Sequence, residues 1–206
     1  MNAKVPHRPP GTLHRTEGDL LFWEQPLFRI HRTQGAHVLP WNEFRTFGPI
    51  PRGRYDPHPK PTADYPNRGV MYAATDVPTA LAEMFQTTRE ITTGQGAPQL
   101  TAWTPLRQLT LLNLCEDWAL KNQAAHSLAH GPRAVCRAWS RAIFAEWDDL
   151  DGLWAPSTMS GRPIVALYER ARSAIPHAPS FSRPLSYPVV RTLVEHYAAQ
   201  IAYAVR

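Results

Sequence analysis

Four short apolar runs, Gly69 to Ala74, Leu100 to Trp103, Leu109 to Leu114 and Pro163 to Tyr168, are bounded by polar or turn-forming residues. Their length and composition predict strands of mostly buried type. Between them the apolar spacing becomes helical. A helix starts near Asp76, which can cap it, carries Pro78 in its first turn and runs through Leu81, Met84 and Phe85. A second follows Gly131 and Pro132 and sets Val135, Trp139, Ile143 and Trp147 on one face. A last helix after Pro188 repeats the pattern with Val190, Val194, Tyr197 and Ile201. The alternation predicts a single α+β domain whose strand order does not follow from the pattern.

Two stretches break this rhythm. Residues 1 to about 20 are polar, with Pro9, Pro10 and Gly11, and read as a loose N-terminal arm, leaving 21–206 as the folded domain. The segment Gly48 to Asn67 holds Pro49, Pro51, Pro57, Pro59, Pro61 and Pro66, too many for a helix or a central strand. It predicts a long ordered loop or flap, and loops of that length in a compact domain usually serve function.

Composition narrows the class. With 206 residues, 43% hydrophobic and 7 each of Trp, Tyr and Phe, the chain can bury a core, which argues against intrinsic disorder. No apolar run approaches the roughly 18 residues that cross a bilayer, and the first residues lack the apolar segment of a secretory signal. The expectation is a cytoplasmic protein without membrane contact. Cys115 and Cys136 are too few for a disulfide framework, and no CxxC or HExxH spacing suggests a metal site. His126 and His130 stand four apart before Gly131, which fits a helix end better than a ligand pair.

The net charge of +5 comes from 22 basic and 17 acidic residues, and the basic set is arginine apart from Lys4, Lys60 and Lys121. These charges are dispersed among acids, so a generic basic surface is the default over a dedicated nucleic-acid face.

Candidate chemistry concentrates in three segments. In Gly69 to Phe85 a buried-type strand bearing Tyr72 turns directly into the capped helix bearing Glu83. Glu83 lies between Ala80, Leu81, Ala82, Met84 and Phe85, where a carboxylate needs a partner or a task, although periodicity leaves a solvated face equally open. In Pro51 to Pro57, Gly53 separates Arg52 from Arg54 and lets the backbone approach an anion that Arg54 can grip; by itself this also fits a surface turn. The third, Asp151 to Ser160, is a turn into an extended segment containing Ser157, with no GxSxG elbow to make it a nucleophile. Arg29, in the strand-like run Leu-Phe-Arg-Ile, needs pairing, for which a structural ion pair is the default.

Taken in order, Gly-Arg-Tyr-Asp-Pro, Gly-Val-Met-Tyr-Ala-Ala-Thr, Thr-Ala-Leu-Ala-Glu-Met-Phe and Asp-Gly-Leu-Trp with a downstream Ser and Ile-Val-Ala-Leu-Tyr, the chain resembles the RES-domain family from about Leu27 to Tyr168. The resemblance implies an ADP-ribosyltransferase-like mixed sheet core with surrounding helices. It matches the family's arginine, glutamate and serine to Arg54, Glu83 and Ser157, with Thr158 and Ser160 close enough to replace the serine. Tyr72 and Arg29 match the family's strand tyrosine and early arginine.

The implied catalytic set is Glu83, Arg54, Tyr72 and Ser157, and the implied NAD-binding set is Arg29, Arg54, Tyr72 and Ser157. The implied activity is cleavage of the nicotinamide–ribose bond of NAD, a substrate and not a cofactor, by a bacterial toxin. Its expected partner is an Xre-like helix-turn-helix antitoxin, in a dimeric unit of a larger complex. Water, phosphate or a protein side chain accepts the sugar, and the last case makes the chain a mono-ADP-ribosyltransferase. A nucleic-acid-binding module and an inactive binding protein are the readings from other classes. Gly48 to Asn67 looks longer than a minimal version of the motif, and the glycine fingerprint of hydride-transfer enzymes is absent.

Overall fold

The buried runs pair into one mixed sheet. The computed structural model, which describes residues 4–206, contains, in chain order, β1 (Leu20–Trp23), β2 (Leu27–Arg32), β3 (Phe47–Gly48), β4 (Ala63–Asp64), β5 (Val70–Ala74), α1 (Val77–Met84), β6 (Glu90–Ile91) and β7 (Pro98–Trp103). There follow β8 (Leu109–Asn113), α2 (Trp118–Lys121), α3 (Arg133–Glu146), β9 (Gly152–Pro156), β10 (Pro163–Tyr168), β11 (Phe181–Pro184), α4 (Pro188–Gln200) and β12 (Ala204–Val205). Eight strands form a sheet in the order β1, β8, β9, β10, β5, β2, β7, β11. Within it β8 and β9 are parallel and the other neighbours antiparallel.

Register decides what each face carries, because paired residues point the same way. Phe28 pairs with Ala74, and Ala166 with both Tyr72 and Leu153. These residues line the face covered by α1, α3 and α4, where Leu81, Trp118, Trp139, Ile143 and Tyr168 are buried. Met71, Ala73, Trp154 and Val165 point to the other face. No α-helix closes that side among the described residues; Trp23, Trp41, Phe44 and the 3-10 turn Glu169–Ala174 cover it.

The helix α1 begins as its sequence dictates: the Asp76 carboxylate accepts the Thr79 N–H at 2.8 Å, and Pro78 occupies the first turn. In α3 the spacing of four buries Val135, Trp139 and Ile143, but the helix ends at Glu146. Trp147 instead caps it and meets Trp118 edge-on at 6.2 Å. His126 and His130 lie in a short 3-10 turn and are exposed.

Of the two expectations about irregular segments, the loose arm changes and the ordered flap holds. The N-terminal arm is not loose over the described part: the Ala125 N–H donates to the Lys4 carbonyl at 2.8 Å, the Trp139 indole N–H to the Pro6 carbonyl at 3.1 Å, and Leu13 is buried. Residues 1–3 of that arm lie outside the described residues. The proline-rich flap closes on itself through β3 and β4 and buries Tyr55, Asp56 and His58. Cys115 and Cys136 are free thiols. Among the described residues no helix is long and apolar enough to cross a membrane.

Candidate active site

Glu83 and Ser157, 74 residues apart in sequence, meet through a hydrogen bond: the Ser157 hydroxyl donates to Glu83 Oε1 at 2.6 Å. Two elements bring them together. Glu83 rides the last turn of α1, whose start is fixed by Asp76. Ser157 follows β9 and opens the turn into β10, where its Oγ accepts the N–H groups of Met159 at 3.0 Å and Ser160 at 3.1 Å. Those two donors leave the hydroxyl proton to the carboxylate, so the turn fixes both the position and the direction of the serine. Ser160 is engaged elsewhere, with Thr79 Oγ1 at 2.9 Å, so Ser157 is the member of its turn that meets Glu83. Glu83 is half-buried, and so neither enclosed in the core nor standing free in solvent.

Glu83 also reaches α3. Gln86, two residues past the end of α1, donates to the Glu83 carbonyl at 2.8 Å and to Oε2 at 3.4 Å, and accepts from Arg133 Nη2 at 3.1 Å. Arg54 comes to the same end of α3 from the flap: its Nη1 donates to the Gly131 carbonyl at 2.5 Å and contacts Cys136 Sγ at 3.4 Å. Its Nε and Nη2 make no hydrogen bond among the described residues, which leaves the three N–H groups of those two nitrogens for an anion. The start of α3 is thus the element shared by the arginine and the glutamate.

Tyr72 holds the flap over the sheet. Its hydroxyl accepts the Tyr55 N–H at 2.8 Å and donates to Asp56 Oδ1 at 2.9 Å. Asp56 has no solvent exposure and also accepts from Arg45 Nη2 at 2.6 Å and from the Ile50 N–H at 2.9 Å. Gly53 is required by this cluster, since a Cβ there would stand 2.1 Å from Asp56 Oδ1. Burial, and after it the Asp56 carboxylate, raises the Tyr72 phenol well above its ordinary value. Tyr72 is therefore a neutral hydroxyl at neutral pH, and its half-buried ring is the part left to meet a ligand.

Arg29 does not join the group. It pairs with Thr101 and alternates with Phe28, which puts it on the face opposite Tyr72. There its Nη1 donates to the carbonyls of Trp41 at 2.8 Å and Glu43 at 3.3 Å, closing the 33–46 loop over the sheet. Burial, with Arg45 nearby, lowers its guanidinium to about 10, still a cation at neutral pH. Among the described residues no acid pairs with it, and it stands on the other face of the sheet from Tyr72; backbone carbonyls take the charge.

Asp56, Gln86 and Arg133 are the members of this network that sequence reasoning left unassigned. Asp56 stood in the Gly-Arg-Tyr-Asp run, and Gln86 lies three residues after Glu83 in the turn that ends α1, so both had a local signal; Arg133 had none. Among the described residues no group of three or more His, Cys, Asp or Glu is arranged to hold a metal ion.

Comparison with known proteins places these residues in context. The RES domain family matches residues 26–189. Among solved structures, a chain of the crystal structure of the M. tuberculosis MbcT-MbcA toxin-antitoxin complex shares the fold with a TM-score of 0.56 at 15% identity. The match covers 84% of this chain and 91% of that one. No curated protein matches.

Proposed function

Because the chain belongs to the RES domain family, we propose that it is a toxin enzyme that cleaves the nicotinamide–ribose bond of NAD. The observation that carries this reading is the 2.6 Å hydrogen bond from Ser157 to Glu83, which orients a carboxylate that Gln86 and Arg133 link to the end of α3 reached by Arg54. In the reaction the C1′–N bond breaks and its electron pair leaves with neutral nicotinamide, so positive charge develops on the ribose. Glu83, aligned by Ser157 on one oxygen and Gln86 on the other, accepts a hydrogen bond from a ribose hydroxyl and stabilises that charge. The free donors of Arg54 hold the pyrophosphate, and the ring of Tyr72 meets the nicotinamide face. The acceptor then bonds C1′ and releases its proton; water yields ADP-ribose, phosphate its phosphorylated form, and a side chain a modified protein.

The chain acts in this reading in the cytoplasm, as part of a dimeric unit, under an Xre-like helix-turn-helix antitoxin that covers the cleft beside the Gly48 to Asn67 flap. Purified protein incubated with NAD and separated by chromatography releases free nicotinamide; absence of nicotinamide after prolonged incubation with folded protein overturns the proposal.

A further inference from the structure

We propose that a hollow on the flank of α1, bordering the turn that holds Ser157 against Glu83, binds a phosphoryl oxyanion. The hollow has a volume of about 340 Å³ and is lined by Arg89, Ser160, Arg162, Gln200 and Tyr203 with Ala82 as an apolar wall. Two cationic forks from different elements therefore face one volume. The Arg89 side chain has no hydrogen bond or ion pair among the described residues, and the adjacent Glu90 pairs with Arg206 instead. Arg162 reaches its nearest acid, Asp76, only at 3.5 Å, with its side chain 54% exposed.

The backbone of Arg89 supplies an independent observation. Its φ is 53°, a left-handed conformation that residues with a Cβ rarely take, and the pairing of β6 with β12 maintains it through the hydrogen bond from the Ala204 N–H to the Arg89 carbonyl at 3.2 Å. Strain held at an unpartnered arginine that lines a cavity points from conformation to a binding role.

Chemistry selects the ligand. A single carboxylate suits one guanidinium, whereas two forks from different elements match the several oxygens of a tetrahedral phosphoryl group; the Ser160 hydroxyl, the Tyr203 phenol and the Gln200 amide already have partners in Thr79, the Ala82 carbonyl and His196. The acids that bear on the hollow are Asp76, beside Arg162, and Glu83, whose charge reaches the Tyr203 phenol. Gln200 and Tyr203 lie beyond residue 189, where the family match ends, so the C-terminal segment supplies one side of the hollow and the matched region, with both arginines, the other. Its occupant ties α4 and β12 to the turn that carries Ser157. The proposal stands whether or not the chain cleaves NAD.

Titration calorimetry tests it, with inorganic phosphate and, separately, ribose 5-phosphate as probes. The proteins are the wild type, the double variant Arg89→Met with Arg162→Met, and Arg183→Met as an exposed arginine elsewhere. Saturable binding is expected for the wild type and Arg183→Met, weakened roughly tenfold or more in the double variant. Tighter binding of the sugar phosphate assigns the site to a phosphorylated metabolite, and tighter binding of phosphate to the free ion. No saturable binding by the wild type up to about 10 mM of either probe, or equal affinity in the double variant, overturns the proposal. If the double variant fails to fold, Arg162→Met alone gives the same comparison.

Discussion

Asp56 collects three donors, from Arg45, Ile50 and Tyr72, in a place with no access to water. A buried carboxylate so placed is destabilising to remove, because its partners then lose their acceptor while remaining desolvated. The variant Asp56→Ala is expected to lose about 3 kcal/mol of unfolding free energy in urea titration, against about 1 kcal/mol for Tyr72→Phe, which keeps the ring. Equal, small losses in both would mean that the flap does not depend on this cluster. On the opposite face, burial and then the Arg29 charge lower the His31 imidazole from 6.5 to about 4. The folded state thus favours neutral His31, while the unfolded chain takes up a proton below 6.5. Its contribution is complete above pH 6.5 and is lost as pH falls towards about 4. Unfolding measured across that window is expected to show stability falling more steeply for wild type than for His31→Gln, by roughly 2 kcal/mol at the acid end; parallel curves would contradict this.

At the scale of elements, what the chain announces depends on how many of its faces are buried. The strands β5, β7, β8 and β10 lie inside the sheet with both faces covered and read as apolar runs. The edge strand β11 is half-exposed, carries the mixed run Phe-Ser-Arg-Pro and gave no such signal, while the other edge strand, β1, is an apolar run of only four residues, Leu-Leu-Phe-Trp, next to the polar N-terminal segment. The start of α1 was legible because Asp76 and Pro78 are local chemistry. Which face Arg29 takes was not, since that depends on the pairing of Phe28 with Ala74, 46 residues apart in chain order. The candidate site divides the same way: Arg54, Tyr72, Glu83 and Ser157 were legible through motif order. The contact between Glu83 and Ser157 required the β9 to β10 turn to fold back on α1. The flap hid its nature for a related reason, since prolines forbid regular structure but say nothing of a tyrosine beneath that pins them.

Across the whole molecule, the N-terminal segment and the sheet behave as one body. Residues 4–20 lie against α2, the turn before α3, and α3 itself, through Lys4, Pro6, His14 and Leu13. Deleting residues 1–15 is expected to lower stability by about 2 kcal/mol within a single cooperative transition, because buried Leu13 and the indole partner of Trp139 are removed together. An unchanged melting temperature in calorimetry would show the segment to be dispensable. α3 lies at the junction of this segment, the flap and the glutamate-bearing helix, so the candidate site depends on packing well away from it. The central claim is nevertheless local: Glu83, aligned by Ser157, stabilises the charge that develops when nicotinamide leaves. Nicotinamide release by Glu83→Gln, at saturating NAD and with the fold confirmed by circular dichroism, measures it most directly. The account predicts a rate lower than wild type by about 10² to 10³, and a wild-type rate from that variant would contradict it.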